Sequence, residues 1–237
     1  MRRTKGRPTS SNRASSLHLR WVWGGLEPEL VEVSATLTVL EPTPTDDLRF
    51  WALQASFVEA GRRFGGAHVG LQRHAGHPGG CAANWGGYAA VGGELAGSES
   101  PLPSARGNPN TRDLAWEVGR PYRLTIRPGA EGWAGLIDDV ELRCLHAGGD
   151  RLADIVVWSE VFAPCDQQHA VRWSDFAGRT PAGDVVRPAA VAVNYQAWSA
   201  GGCTNSNSEP DGLGVVQRTG TKRRTPQGAV LPLTRVR

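Results

Sequence analysis

The sequence predicts an all-β fold, a single antiparallel two-sheet sandwich. Three observations carry this. Apolar and polar residues alternate with period two in several segments, no window sustains a helical period, and 30 glycines and 16 prolines in 237 residues supply many turns. Strands separated by turns every eight to twelve residues or so are the pattern of a sandwich or barrel.

The elements follow in order. Residues 30–40 read LVEVSATLTVL. Val31, Val33, Ala35, Leu37 and Val39 fall on one face, and Glu32, Ser34, Thr36 and Thr38 on the other, as in a half-buried strand. Residues 41–47 (EPTPTDD) form a loop. Residues 48–58 are apolar on both faces, as a central strand covered on both sides would be. Tyr122, Leu124 and Ile126 alternate with Arg123, Thr125 and Arg127. Residues 133–145 read as one long strand whose phase breaks at Asp138-Asp139, which suggests a bulge. Residues 151–162 and 185–198 read as two more strands. Glycine weakens every assignment between residues 61 and 113.

The domain spans residues 21–217. Residues 1–20 and 218–237 are expected to be basic, disordered tails, each with six basic side chains and no acid. Taking those 12 from the 26 basic residues leaves 14 against 23 acids, so the body is acidic. The tails read as solvated ends, and no nucleic-acid partner is expected. No apolar run approaches the roughly 18 residues of a membrane span. Residues 1–20 carry no apolar core or cleavage site of a secretory signal.

Several motifs occur in a fixed order over roughly residues 30–217. They are Phe50-Trp51-Ala52-Leu53-Gln54, then Gly66-Ala67-His68-Val69-Gly70-Leu71-Gln72, then Gly92-Gly93-Glu94. Trp116, Gly119, Tyr122 and Ile126 follow, then Trp133, the Trp158-Ser159-Glu160-Val161-Phe162 strand, and Cys203-Thr204-Asn205. In this order the chain resembles a family of small, mostly exported bacterial β-sandwich domains, common in actinobacteria and of unknown function. The resemblance implies a concanavalin-like jelly roll and a secreted or cell-envelope location. The absent signal keeps a cytoplasmic location as the alternative. The resemblance implies no activity.

The four cysteines, Cys81, Cys144, Cys165 and Cys203, allow three disulfide connectivities. The resemblance favours Cys165 with Cys203. Cys144 alternates with Val140 and Leu142, so a Cys81–Cys144 bridge and two buried thiols both remain open.

The candidate site is the strand bearing Trp158, Glu160 and Phe162, which share a face opposite Ile155, Val157 and Val161. Two rings and a carboxylate suit a sugar that stacks on tryptophan and bonds to an acid. A second buried face with Glu160 paired to an arginine is the plainer account. Trp51, Trp85, Trp173 and Asp175 could extend the same surface. In acid–base chemistry Glu160 would be the catalytic candidate, with Asp175, Glu94, Asp138 or Asp139 as the second carboxylate that glycoside hydrolysis needs. A lyase base would come from Tyr88, Tyr122, Tyr195 or His169.

No resident cofactor is expected. His74, His77 and Cys81, with His68 upstream, have ligand-like spacing but lie in a Gly/Pro-rich loop. Asn207, Glu209, Asp211 and Gly212 imitate the start of a calcium loop, but Arg218 stands where the last ligand belongs. A structural calcium at Asp46-Asp47 or Asp138-Asp139 is conceivable only by analogy with sandwich lectins. Nucleophile-elbow, P-loop and dinucleotide motifs are absent. The expected function is a non-catalytic carbohydrate- or cell-surface-binding domain, with a glycan or cell-surface polymer as partner. A polysaccharide-active hydrolase or lyase, and a structural protein without a small ligand, are the alternatives.

Overall fold

The computed structural model describes residue 4 and residues 6–233. Arg2, Arg3, Lys5, Arg235 and Arg237 of the expected tails lie outside the described residues. The first strands are β1 (Ser15–Val22), β2 (Glu32–Val39), β3 (Arg49–Glu59), β4 (Arg62–Arg73), β5 (Cys81–Ala89), β6 (Thr111–Asp113), β7 (Pro121–Gly129) and β8 (Gly132–Ile137). Then come β9 (Val140–Leu145), β10 (Arg151–Val161), β11 (His169–Arg179), β12 (Val185–Val186), β13 (Ala190–Tyr195), β14 (Ser206–Pro210), β15 (Val215–Thr219) and β16 (Val230–Pro232).

Two antiparallel sheets face each other, so the predicted sandwich is what forms. One runs β16-β13-β1-β10-β3-β4-β5-β6 and is called sheet A below. The other, sheet B, runs β14-β15-β11-β2-β7-β8-β9, with β12 paired to β11. The core lies between them. Val33, Ala35, Leu37 and Val39 point into it from β2, as their alternation requires. Phe57 of sheet A stacks on Trp133 of sheet B with centroids 5.1 Å apart. Gly135 lets the sheets close over Trp85: a Cβ there would sit 2.4 Å from the indole.

The structure corrects four expectations. Trp51, Trp85 and Trp173 are fully buried between the sheets and do not extend the Trp158 surface. Residues 15–20 are not tail: β1 sits inside sheet A, paired with β10 and β13. At the other end, Arg218 lies in β15 and bonds Glu41 at 3.1 Å, and β16 forms an edge of sheet A. The long strands also divide. Asp138, with φ +53°, turns the chain back between β8 and β9, and residues 185–198 pass from sheet B (β12) to sheet A (β13).

One polar group spans the core. Gln217 on β15 is buried; its Oε1 accepts from Ser159 Oγ at 2.6 Å and Trp173 Nε1 at 3.0 Å. Its Nε2 donates to the carbonyl of Leu17 at 3.0 Å. The side chain thus ties sheet B to β1 and β10 of sheet A.

Cys165 and Cys203 form a disulfide, while Cys81 and Cys144 are free and buried, so the second bridge is not made. Cys81 opens β5 in sheet A and Cys144 lies on β9 in sheet B.

Two stability predictions follow from these contacts. Gln217→Ala strands a hydroxyl, an indole N–H and a carbonyl inside the core, and its cost is about 3 kcal/mol by urea unfolding. A loss below about 1 kcal/mol would show that the bridge is not structural. The disulfide closes a loop across a sequence separation of 38. Replacing both of its cysteines by serine lowers the unfolding free energy by about 4 kcal/mol on the chain-entropy account. An unchanged urea midpoint would refute that.

Candidate functional site

The site begins with a phase change in β10. Leu152 points into the core; the register then shifts between Ala153 and Val156, where Asp154 has φ +52°. Beyond this bulge Ile155, Val157, Ser159 and Val161 are buried toward the core. Val156, Trp158 and Glu160 turn to the outer face of sheet A. Strand side chains alternate strictly, so without the extra residue Glu160 would enter the core.

The sheet register sets its neighbours. Glu160 stands between Ser16 of β1 and Phe50 of β3, and Gln72 of β4 lies beyond Phe50. In the next row Trp158 stands between His18 and Ala52, with Gly70 beyond. Ala52 and Gly70 are small enough to leave room for large rings above them. Phe50, His68 and Trp158 fill that room as three edge-to-face rings, with centroids 4.9 to 5.5 Å apart. Trp158 Nε1 donates to Gln54 Oε1 at 3.0 Å. Burial pushes the His68 imidazole down to about 4, so it is neutral at pH 7.

Glu160 is half-buried. Its Oε1 accepts from Asn12 Nδ2 at 2.9 Å and from Ser16 Oγ at 3.5 Å. Its Oε2 has no hydrogen-bond partner among the described residues. Burial raises the carboxyl above its ordinary value of 4.5, and the bonds from Asn12 and Ser16 offset part of that rise. No arginine pairs with it among the described residues, so the ion-paired account is not what forms. Ser16 and His18 continue into an open cavity of about 660 Å³, walled also by Gln196, Trp198 and Arg223. His18 Nδ1 is buried without a partner among the described residues, and burial lowers its basicity.

The other candidates lie elsewhere. Phe162 follows β10 and is half-buried; its amide bonds Leu48 and its carbonyl takes Arg7 Nη1, and its ring is not part of the three-ring cluster. Asp175 sits in sheet B, at a register shift in β11 with φ +50°. Glu94 pairs with Tyr88 at the far end of β5 and takes Asn110 Nδ2 at 3.3 Å. Asp138 bonds Arg120 at 3.0 Å in the β8–β9 turn of sheet B. None of these acids shares the Glu160 row, so the two-carboxylate arrangement is not assembled.

Of the lyase bases, Tyr195 lines the open cavity, but its hydroxyl already accepts from Ser208 N at 2.9 Å, and the others lie elsewhere. Burial pushes His169 in the core down to about 3, and the Tyr122 hydroxyl, also buried, accepts from Glu117 N at 2.7 Å. Among the described residues no three His, Cys, Asp or Glu side chains gather as a metal would require. Cys81 Sγ instead takes Arg73 Nη1 at 3.0 Å. Asn207 Oδ1 accepts from the amides of Arg224 and Thr225, and Asp211 Oδ1 from those of Leu213 and Gly214, so the calcium-like run is a closed polar turn. Among the described residues no helix is long and apolar enough to cross a membrane.

Comparison with known proteins returns no matching family model and no matching curated protein. The resemblance to exported actinobacterial domains therefore gains no support beyond the fold. Among solved structures, Scytalido-glutamic peptidase with a peptide-based transition-state analogue is similar at 9% identity and a TM-score of 0.47. SCP-B, a member of the Eqolisin family of peptidases bound to the tripeptide Ala-Ile-His, is similar at 7% identity and a TM-score of 0.44. In each case 86% of this chain and 98% of the other are covered. These values describe a similar arrangement of strands and carry no argument about residues or mechanism.

The expectation of a non-catalytic carbohydrate- or cell-surface-binding domain is corrected. The similar solved structures named above are described as peptidases. On the chain itself, Trp158 is only 7% exposed and its N–H is already bonded, so its face is not open to stack a sugar.

Sequence reasoning missed Asn12, Ser16, His18, Phe50, His68 and Arg223. Asn12, Ser16, His18 and Arg223 fell in the expected tails, and Phe50 and His68 lay inside motifs whose facing the sequence does not show.

A pH prediction follows from Glu160. Its folded-state pKa is raised, so the folded protein binds this proton more tightly than the unfolded chain. That stability is complete below about 4.5 and is lost as the pH rises through the folded value. Glu160→Gln carries no such loss, so its melting temperature gains on the wild type across that window. A difference that stays constant with pH, or shrinks, would contradict the assignment.

Proposed function

We propose that the chain is a hydrolase in which Glu160 is the general acid–base, acting on an amide bond of a peptide laid across the outer face of sheet A. One observation carries this reading. A half-buried carboxyl with a raised pKa has one oxygen tied down by Asn12 and Ser16 and the other free, beside an open cavity. A raised carboxyl works near neutral pH in both directions, taking a proton and giving it back.

The chemistry needs no second acid. Ionised Glu160 takes a proton from a water molecule as its oxygen adds to the scissile carbonyl carbon. Neutral Glu160 then returns that proton to the amide nitrogen as the carbon–nitrogen bond breaks. Asn12 and Ser16 hold Oε1, so Oε2 is the oxygen that exchanges the proton. Glycoside hydrolysis normally uses two carboxylates a few ångströms apart, and Glu160 has no such neighbour in its row. That favours the amide over the glycosidic bond. The Cys165–Cys203 disulfide supports work in an oxidising compartment, outside the cell or in its envelope.

The test is incubation with unfolded protein and a mixed peptide set in ¹⁸O-water between pH 3 and 8, followed by mass spectrometry of the new termini. The wild type is expected to cleave amide bonds and to place the label in the new carboxyl terminus. Glu160→Gln should lower the rate by about 100-fold or more while the protein stays folded. Absence of cleavage throughout, or an unchanged rate in the variant, would overturn the reading.

A further inference from the structure

The cavity beside Glu160 contains a cation, Arg223, that has no counter-charge among the described residues. Arg223 lines it, together with Ser16, His18, Gln196 and Trp198. The Arg223 Nε donates to the carbonyl of Ser206 at 3.1 Å. Its Nη2 donates to the carbonyl of Cys203 and to Ser206 Oγ, each at 3.0 Å. The guanidinium lies over the Tyr195 ring, 3.9 Å from its centroid. These contacts fix the fork, and all are with neutral groups. Its Nη1 has no hydrogen-bond partner, and no carboxylate forms an ion pair with Arg223, among the described residues. Glu209 is already engaged, by Arg218 at 3.7 Å and Asn207 at 3.0 Å.

An arginine stays charged when half-buried, and burial without an acid is unfavourable. Burial accordingly lowers its pKa. Of the other polar side chains of the wall, His18 Nδ1 has no partner among the described residues, while the two glutamines are engaged. Gln196 accepts from Ser16 N and donates to Ala200 O, and Gln227 donates to Asn194. At the rim stands Trp198, 67% exposed, on a single 3₁₀ turn spanning Trp198–Ala200. A fixed guanidinium with its Nη1 left to donate, below a bare indole, suits a carboxylate carried next to an apolar group.

We propose that this cavity is a subsite for a substrate carboxylate, bound by Arg223 and covered by Trp198. The carboxylate is either an acidic side chain or the free carboxyl terminus of the peptide. Ser16 connects the subsite to the chemistry, because its hydroxyl reaches Glu160 while its side chain lines the cavity. The disulfide supports the fork, since Cys203 supplies one of its acceptors. This inference rests on Glu160 being the acid–base of a peptide hydrolase.

The test uses three peptides with the full chain carrying Glu160→Gln, so that binding is read without turnover. They are acetyl-Ala-Ala-Glu-amide, acetyl-Ala-Ala-Ala with a free carboxyl terminus, and acetyl-Ala-Ala-Gln-amide as the neutral reference. Calorimetry should show one or both carboxylate peptides binding about tenfold tighter than the neutral one. Preference for the first identifies an acidic side chain, and preference for the second identifies a terminus. Adding Arg223→Gln should abolish the preference, and Arg223→Lys should restore it only in part. Equal binding of all three peptides, or a preference that survives in a folded Arg223→Gln protein, would overturn the subsite. If Arg223→Gln does not fold, loss of the preference in Trp198→Ala supports the subsite and its retention opposes it. Carboxylate preference without cleavage by the wild type would remove the hydrolase and leave the subsite. Cleavage without preference would do the reverse.

Discussion

The Gln217 bridge is the interaction on which the rest of the structure depends. Its amide reaches from β15 across the core to Leu17 on β1 and Ser159 on β10. Leu17 and Ser159 are directly opposite each other in the sheet. By clasping this pair, Gln217 holds the register of β1 against β10. The adjacent pairs, Ser16 with Glu160 and His18 with Trp158, then point to the opposite face. A slip of one residue would bury the carboxylate and expose the core. The position of Glu160 is thus set from the far side of its own sheet.

The outer face built on this register has two parts with different physics. Around Trp158 it is closed: three rings pack on one another over Ala52 and Gly70, and the indole N–H is satisfied. Around Glu160 and Ser16 it is open and polar. The closed part raises the Glu160 pKa by excluding water, and the open part admits a reactant. The two ends of the chain complete the open part. Asn12 arrives before β1, and Arg223 arrives after β15, held by the carbonyl of disulfide-bonded Cys203.

The fold was largely legible because alternation is a local signal. In β2 each inward residue was assigned to the right face, since polar partners separate the apolar ones. In β3 both faces are apolar, so its phase could not be read, and Trp51 was assigned to the surface. Trp173 failed for a related reason: its polar atom is satisfied by Gln217, a partner distant in sequence. The turn at Asp138 looked like a bulge because both disturb the period in the same way. The site was legible only in Trp158 and Glu160. Its remaining parts include residues 12, 16, 18 and 223, whose surroundings resemble solvated tails until the sheet places them.

The account stands or falls on the protonation of Glu160. Carbon-13 NMR of the glutamate carboxyl groups, with Glu160→Gln used to assign the resonance, reads it directly. The account predicts a Glu160 midpoint clearly above 4.5, moving further upward when Asn12→Ala removes the bond to Oε1. A midpoint at or below 4.5 in the folded protein would contradict it, because the carboxyl would then be an ordinary solvated surface group.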